Sequence, residues 1–324
     1  MDFLIEAILS VVRPIGITEP VLQFMLVNAI LGISMYLLLR TGMFSLANAG
    51  FMAIGAYVSV LLTKELDFAL GAALVVAVIV CALIALPIGL PVLRLRDIYL
   101  AIATIGFGEV VRIFFLNVDN MILSYLNTFQ DAGLRRYELV GGGRGVRNVE
   151  RLTETWHLIV FLIVIIFLLT RLQRSRFGRA MVAVRQDERV AANMGINVVY
   201  VKNMVFVLSA MLAGAAGVFN GHLTRIVTPE MFGFDRAVDI LAYAVLGGTS
   251  VWAGPIVGGF VLTALPEVLR RFNEYRGVFN GLVLLLVIVY LPGGLINPQG
   301  WRKLWASARR RLTGQPAQPE AGGG

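Results

Sequence analysis

The sequence predicts an all-α protein, a polytopic bundle of transmembrane helices with broken, glycine-rich helices among them. Of its 324 residues 58% are hydrophobic and only 15% are charged, whereas soluble domains have roughly one-half apolar and one-quarter charged residues. The mean hydropathy is +0.79. The apolar residues also come in runs of about 20, the length of helix that crosses a hydrocarbon core of about 30 Å. A β-barrel would instead alternate apolar and polar residues.

The apolar runs predict about nine spans, within a range of about eight to ten. They lie at about 21–39, 43–62, 68–93, 98–117, 157–172, 201–222, 237–249, 254–269 and 277–291. The run 237–249 is short for a full crossing, so it is either a span or half of a broken helix beside a re-entrant turn. Residues 1–20 form an interfacial segment or a weak extra span. Residues 293–324 form a basic tail that faces anionic lipid and is disordered at its end.

The distribution of basic residues orients the spans. The joints at Arg40, 94–97 and 171–202, together with the tail, carry 15 basic and 4 acidic residues, whereas the opposite side carries 12 basic and 14 acidic ones. Because Lys and Arg favour cytoplasmic joints, the sequence predicts a cytoplasmic C-terminus, a cytoplasmic segment 171–200 and an external loop 118–156. The basic run "RRFNEYR" fits this map least well, since it falls on the external side.

Two zones combine glycine with small polar residues, "TGMFSLANAGFMAIGAY" (41–57) and "AVLGGTSVWAGPIVGGF" (244–260). Small residues permit close helix packing, and interrupted helices occur at membrane depth only where the backbone is buried in protein or lines a cavity. Both interpretations stay open for any single glycine. Two zones, one in each half, together favour a translocation path. Its candidate lining residues are Ser45, Asn48, Thr104, Gly247, Gly248 and Thr249.

Three charged residues fall inside predicted spans, where charge is costly and indicates function by default. Glu109 and Arg112 are three residues apart on one helical face, which favours a structural ion pair over a contact with solute. Asp239 has Arg236 one turn earlier, so the two residues can pair.

The segment "SRFGRAMVAVRQDERVAANMGI" (175–196) is a polar island in this apolar chain. Its apolar residues follow the spacing of an amphipathic helix, and Glu188 falls within the apolar stripe. A carboxylate there predicts docking into a protein groove that offers a cation or a hydrogen-bond donor. Gly195 then ends the helix. The alternative is a solvated basic loop that only fixes topology.

The remaining inventory argues against other classes of protein. The two histidines lie at predicted span ends, and the chain has no H-E-x-x-H, no G-x-S-x-G and no cysteine cluster. No phosphate-binding G-x4-G-K-[ST] loop is present, so ATP hydrolysis would need another chain. We therefore expect no catalytic residues, no metal and no cofactor. The net charge of +8 is explained by the cytoplasmic joints, so we expect no nucleic-acid partner.

The motifs resemble those of the inner-membrane permease subunits of ABC importers for branched-chain amino acids. They are, in chain order, "TGMFSLANAGFMAIGAYV", "DIYLAIATIGFGEVVRIFF", "GGGRG", the segment 175–196, "LAGAAGVFNGHL", "VLGGTSVWAGPIVGGFVL" and "LPEVL". The resemblance covers about residues 21–292. It implies a bacterial inner-membrane permease that works with a related second permease, two cytoplasmic ATP-binding subunits and an external solute-binding protein. By this resemblance the segment 171–200 engages the ATPases, with Arg185, Asp187, Glu188, Arg189 and Gly195 as candidate coupling residues.

The resemblance leaves the solute open. Leucine, isoleucine and valine are the expected solutes, but the family also includes permeases for urea or short amides. The chain departs from the family at Val140, where Thr is more usual before the two glycines, so no role of a threonine carries over to this site. A membrane-embedded enzyme is the alternative of another class, with a stand-alone channel or secondary carrier behind it, and copurification of ATPases would favour the importer over these alternatives.

Overall fold

The computed structural model describes residues 18–95, 97–129 and 139–268, together with residues 281, 285, 295 and 296. Most of the interfacial segment 1–20, most of the predicted span 277–291 and most of the basic tail 293–324 lie outside the described residues. The predicted external loop is described except for residues 130–138.

The described chain is all-α, as predicted, apart from one two-residue strand pair. Its helices are α1 (Glu19–Arg40), α2 (Asn48–Leu66), α3 (Leu70–Val92), α4 (Asp97–Phe129), α5 (Thr155–Arg174), α6 (Arg176–Gln186), α7 (Glu188–Asn193), α8 (Val198–Leu223), α9 (Phe234–Gly247) and α10 (Ala253–Val268). Strand β1 (Val146–Arg147) pairs antiparallel with β2 (Ile226–Val227). Short 3₁₀ turns cover Gly142–Arg144 and Pro229–Phe232.

Six of the described helices, α1 to α5 and α8, are long and apolar enough to cross a membrane. Helix α1 is the centre of the bundle, since 89% of its apolar window is buried. Helices α3 and α5 are each only 28% buried and turn their large apolar side chains outward. Outward apolar side chains such as Leu83 and Phe167 suit contact with lipid, because hydrocarbon imposes no cost on an exposed apolar face.

Small residues bring the helices close together. The buried residues of α3 recur every four positions and are small, namely Ala73, Ala77, Cys81, Ala85 and Gly89. This face packs on α8, and α8 in turn packs against α2 where the backbones at Gly55 and Gly214 touch. Helices in lipid gain no hydrophobic free energy from association, so their packing depends on such close backbone contact.

The first glycine zone contains a break in the helices. Helix α1 ends at Arg40, yet Asn48, which begins α2, contacts Ser34, six residues and about 9 Å back along α1. Residues 41–47 therefore return into the bundle without helical structure. The prediction of a span beginning at residue 43 was too early, because the chain stays irregular to residue 47.

The second glycine zone forms a helical hairpin that does not cross the bundle. Helices α9 and α10 have 14 and 16 residues. A Cβ at Gly32 would lie 2.7 Å from the carbonyl oxygen of Pro255, so the turn 248–252 lies beside Gly32, about 12 Å short of the Arg40 end of α1. From there α10 returns past Asn28, toward the Glu19 end. The re-entrant interpretation of 237–249 is thus the one observed.

Helix α4 differs most from its predicted length. It has 33 residues and continues to Phe129, whereas the span was predicted to end at Asn117. The run "VDNMILSYLNTF" keeps enough apolar residues to continue the helix, and Asp119 is buried by a contact with the following loop. The first third of the predicted external loop is therefore helix.

The joints sort to two ends of the bundle. At the Arg40 end of α1, Gln173 Nε2 donates to Tyr36 OH at 3.0 Å. At the Glu19 end, Thr155 Oγ1 donates to Glu19 Oε1 at 2.9 Å, and Arg151 donates to Gln23 Oε1 at 2.8 Å. The segment 171–202 and the segment 139–155 thus occupy opposite ends, as the distribution of basic residues predicts.

We expect Arg176→Cys and Arg147→Cys, each in a Cys81→Ala background, to react with an impermeant thiol reagent from opposite membrane faces. Both native side chains are exposed and neither residue has a positive backbone φ, so the substitutions should leave the fold intact. Labelling of sealed inside-out and right-side-out vesicles checks this. Reaction of both cysteines from the same face would contradict the sorting of the joints.

Candidate functional site

The first glycine zone is held by a buried polar cluster on one side of α1. Asn48 Nδ2 donates to Ser34 Oγ at 2.7 Å and lies 3.3 Å from Ser209 Oγ, which donates to the Ser34 carbonyl at 2.8 Å. Thr104 Oγ1 accepts from the backbone N–H of Leu46 at 2.9 Å. The Thr104 contact satisfies one backbone donor of the irregular chain 41–47, and the Asn48 contacts fix its far end to α1 and α8.

The structure brings three of the predicted path residues, Ser45, Asn48 and Thr104, into this region, and all three are buried. Their hydrogen bonds are made within the chain. In this geometry the three residues stabilise the break between α1 and α2.

The other three predicted path residues, Gly247, Gly248 and Thr249, lie at the tip of the α9–α10 hairpin. Gly248 has φ +94°, a conformation that L side chains rarely adopt. The carbonyls of Leu246 and Gly247 accept from the N–H groups of Leu295 and Ile296 at 2.9 and 3.2 Å. Thr249 is half-buried.

These two groups of path residues do not come together. The hairpin packs at Gly32 and the Asn48 cluster at Ser34, two residues apart on α1, which corresponds to about 200° around the helix. The hairpin tip and the Asn48 cluster therefore lie on different sides of α1. One continuous lining made of both groups is not observed within the described chain.

The intramembrane charges follow the predictions in one case and depart from them in the other. Arg112 Nε lies 3.0 Å from both oxygens of Glu109, so the predicted pair forms. Arg236 instead donates to Asn28 Oδ1 at 2.7 Å and to Tyr243 OH at 3.3 Å. The expected ion pair between the described residues Arg236 and Asp239 is absent, since no nitrogen of Arg236 lies within 4 Å of a carboxylate oxygen of Asp239. Arg236 is directed toward α1 instead.

The segment 175–196 folds into two helices, α6 and α7, at the Arg40 end. Ser175 caps α6 by accepting from Gly178 N at 3.1 Å, and Asp187 caps α7 by accepting from Arg189 N and Val190 N at 2.7 and 3.0 Å. The backbone donors at Val190 and Arg189 lower the pKa of Asp187. Gly195, at φ +82°, ends α7 as predicted, and Ile196 N donates to Ala191 O at 3.1 Å.

The apolar stripe of this segment packs on the same chain. Met181, Val184 and Ala191 are buried, and Glu188 forms an ion pair with Lys202, at the start of α8. The cation that Glu188 was predicted to face is therefore Lys202 of the same chain. The groove that receives the apolar stripe is formed by helices α1, α5 and α8. The residues left exposed include Arg185, Arg189, Val190 and Met194.

A cavity of about 380 Å³ lies beside the Glu188–Lys202 pair. Its lining includes Asp187, Arg189, Gly42 and Met43. The cavity therefore lies between the segment 175–196 and the first glycine zone.

The loop after α4 wraps around a buried carboxylate. Asp119 Oδ1 accepts from Leu139 N and Val140 N at 3.1 and 2.9 Å, and Oδ2 accepts from Gly141 N at 2.6 Å. The backbone amides that begin the glycine-rich "GGGRG" stretch thus bind an anion, and that anion belongs to the chain itself. Among the described residues no group of three or more His, Cys, Asp or Glu side chains is placed to hold a metal ion.

Residues 17–288 match the family described as "Branched-chain amino acid transport system / permease component". The chain belongs to this family. Membership confirms the resemblance seen in the motifs and, together with the six long apolar helices, identifies the chain as a multi-pass inner-membrane protein of the permease class.

Two relatives in this permease family are named "High-affinity branched-chain amino acid transport system permease protein LivM". The chain is 30% identical to the protein of Escherichia coli strain K12 over 286 residues, and 31% identical to that of Salmonella typhimurium over 303 residues. Each alignment covers 83% of this chain but 65% of the relative. The chain thus spans about two-thirds of the length of the LivM proteins that it matches.

A third relative carries a different name. The permease protein LivH of Salmonella typhimurium is 30% identical over 141 residues, which cover 43% of this chain and 46% of LivH. No solved structure matches the chain.

Three contributors to these sites were missed from the sequence. Lys202 was assigned to a joint, although its charge at the start of a span signals a nearby anion. Asp119 was assigned to a loop, although its place between apolar runs signals a buried acceptor. Asn28 gave a weak signal, a lone amide inside the apolar run 21–39.

We expect Asp119→Asn to lower the thermal unfolding temperature of the detergent-purified protein. The amide can accept at Oδ1, but its NH2 group faces the Gly141 N–H, so one charge-assisted hydrogen bond is replaced by a clash of donors. The cost is about 1–3 kcal/mol. Asp67→Asn is the matched control, because Asp67 is exposed and has φ 49°, which Asn tolerates. Equal unfolding temperatures for both variants would contradict the role of Asp119.

Proposed function

We propose that the chain is the permease subunit of an ATP-driven ABC importer and forms part of the path for leucine, isoleucine and valine. The observation that carries the proposal is the family match over residues 17–288, which includes every described helix. The LivM relatives are named for high-affinity branched-chain amino acid transport. The chain has no phosphate-binding loop, so the proposal requires ATP hydrolysis on separate subunits.

The proposed partners are a related second permease, two cytoplasmic ATP-binding subunits and an external solute-binding protein. Proteins named LivM and LivH both align with this chain, LivH over a shorter stretch. Two permeases of common descent that carry names from the same transport system support a pair of related subunits around one path.

The proposed orientation has the segment 171–202 and the C-terminus in the cytoplasm and the loop 118–156 outside. The basic joints at the Arg40 end support it. Residues 295 and 296 give further support, because they bond to the hairpin tip, and the basic tail follows them in sequence.

The proposed coupling surface is the exposed side of α6 and α7. Arg185 and Arg189 are exposed there beside Val190, which is 53% exposed, and Met194, which is 78% exposed. An apolar centre with arginine around it is typical of protein interfaces. In this proposal the ATPases bind Val190 and Met194, while Asp187 and Gly195 fix the ends of α7. Glu188 transmits movement to α8 through Lys202.

The proposed path runs along the hairpin side of α1, past Gly247, Gly248 and Thr249. Ser45, Asn48 and Thr104 hold the opposite break in place. In this proposal Thr249, which is half-buried at the tip, faces the path, while Gly247 and Gly248 are buried and shape the turn beside it. The three residues of the opposite break are all buried.

The experiment that tests the function is coexpression of the chain with the permease, ATPase and binding-protein genes of its own system, followed by purification. We expect ATPases to copurify and the complex in proteoliposomes to import leucine with ATP inside, and not urea. Import of urea or acetamide in place of leucine would contradict the solute. Purification of a stable chain without ATPases from that coexpression would contradict the importer and favour a carrier or a membrane-embedded enzyme.

We expect Glu188→Lys to reduce leucine uptake per ATP hydrolysed while the ATPases still copurify. The variant places two positive charges together, leaves the buried Lys202 ammonium without its partner and so weakens the contact of α7 with α8. The charge swap Glu188→Lys with Lys202→Glu restores the pair and should restore uptake.

Arg189→Glu is the control for charge alone. It reverses an exposed charge next to Glu188 without touching Lys202, so it should weaken ATPase association and leave the ratio of uptake to hydrolysis in the assembled fraction unchanged. Failure of the charge swap to improve on Glu188→Lys would overturn the role of the ion pair.

A further inference from the structure

A cavity of about 580 Å³ lies between α1, α9 and α10, toward the Glu19 end of the bundle. Its polar lining includes Asn28, Asp239, Tyr243 and Thr263. Asn28 and Tyr243 are only 5% and 6% exposed. Polar and charged groups at this depth are costly unless they serve a ligand or line a water-filled space.

The polar groups form an ordered chain of hydrogen bonds. Arg236 Nη2 donates to Asn28 Oδ1 at 2.7 Å, and Arg236 Nη1 donates to Tyr243 OH at 3.3 Å. Asn28 Nδ2 donates to Thr263 Oγ1 at 2.8 Å, and that hydroxyl donates to the Gly259 carbonyl at 2.6 Å. Asn28 Nδ2 carries a second N–H, and the Tyr243 hydroxyl has its own proton to donate. Both donors are therefore polarised by a guanidinium and oriented in advance.

The wall of the cavity presents charge of both signs at separate places. The positive charge of Arg236 lies behind Asn28 and Tyr243, whereas the carboxylate of Asp239 lines the cavity directly. Arg236 and Asp239 are three residues apart on α9 but are not joined by an ion pair within 4 Å. A cavity that has hydrogen-bond donors at one place and a carboxylate at another is complementary to a ligand that carries a negative and a positive group at separate positions.

Apart from a second carboxylate residue, Glu267, the other described residues of the lining are apolar or lack polar side-chain atoms. Val21, Phe24, Val238 and Leu262 contribute side chains without polar atoms. A small aliphatic group gains by leaving water for such a surface, at about 0.8 kcal/mol per buried CH2. Urea and short amides have neither separated charges nor an aliphatic chain to place here.

We propose that this cavity is a binding site for an aliphatic α-amino acid in its zwitterionic form. The ammonium group binds Asp239, the carboxylate accepts from Asn28 and Tyr243, and the side chain packs on the apolar wall. The inference rests on the proposed function and adds a solute site inside the permease, on the hairpin side of α1.

The test uses Val238→Cys and Ala242→Cys, two positions that line the cavity, in a Cys81→Ala background. Each is introduced into the complete importer complex in proteoliposomes and treated with a small thiol reagent. We expect leucine to slow the labelling of both cysteines. Urea and 4-methylpentanoate, which lacks the ammonium group, should not slow it at the same concentration.

Asp239→Asn should raise the leucine concentration that gives half-protection about tenfold or more, the loss expected when one charge-assisted hydrogen bond is removed. Asp235→Asn is the matched control. It removes the same charge one turn earlier on α9, at an exposed position that is absent from the cavity lining, and should leave half-protection unchanged.

Three results would overturn the site: no labelling of either cysteine, labelling that leucine does not slow, or equal protection in Asp239→Asn and the parent. Leucine uptake by the parent complex is measured in parallel. If the parent imports leucine and one of these results is found, the site is wrong and the proposed function stands. If the parent imports no leucine although its cysteines are protected, the site stands and the proposed function is wrong.

Discussion

The fold depends on one constraint, that a backbone N–H or C=O group at membrane depth must find its partner within the protein. Continuous helices meet it by themselves, but the described part of this chain interrupts its membrane helices at two places. At the break 41–47, Thr104 accepts from the Leu46 N–H and the Asn48 cluster fixes the start of α2. At the hairpin tip, the N–H groups of Leu295 and Ile296 donate to the Leu246 and Gly247 carbonyls. Both breaks pack against α1, which explains why that helix is the most buried span.

Helix α1 is consequently a wall with two different sides. On one side Ser34 belongs to a compact cluster of short hydrogen bonds with buried partners. On the other side the absence of a side chain at Gly32 lets Pro255 pack closely against α1. Asn28, on that side too, takes part in a hydrogen-bond chain beside a cavity. The first side suits rigidity and the second suits binding, because bound solute needs space and donors that still have a proton to give.

The sequence predicted what is local and missed what is distant. Long apolar runs predicted the spans because the period and length of a helix are properties of neighbouring residues. Gly195 was identified as a helix stop for the same reason. The partner of Glu188 was not found, since Lys202 is 14 residues away and lies close only after the turn between α7 and α8 has formed. The sequence nevertheless indicated that a partner was needed, from a carboxylate in an apolar stripe.

The two remaining differences share that origin. Arg236 was paired with Asp239 because they are one turn apart, but Asn28, 208 residues away, is the acceptor it reaches. Asp119 was placed in a loop because a carboxylate usually ends a span, whereas here the loop folds back and supplies three amides. Local spacing gives the set of possible partners, and the packing of distant helices selects among them.

The hairpin also bears on the number of crossings. If α9 and α10 each crossed the membrane, the chain would leave the Glu19 end and return to it, and a re-entrant pair does the same without reaching the other end. Replacing two crossings by none leaves the segment after α10 on the same side. The assignment of membrane sides from basic residues therefore does not depend on whether the hairpin is counted as spans. What changes is the space beyond its tip. The hairpin stops about 12 Å short of the Arg40 end of α1, and the carbonyls of Leu246 and Gly247 accept from residues 295 and 296 rather than from a further turn of helix.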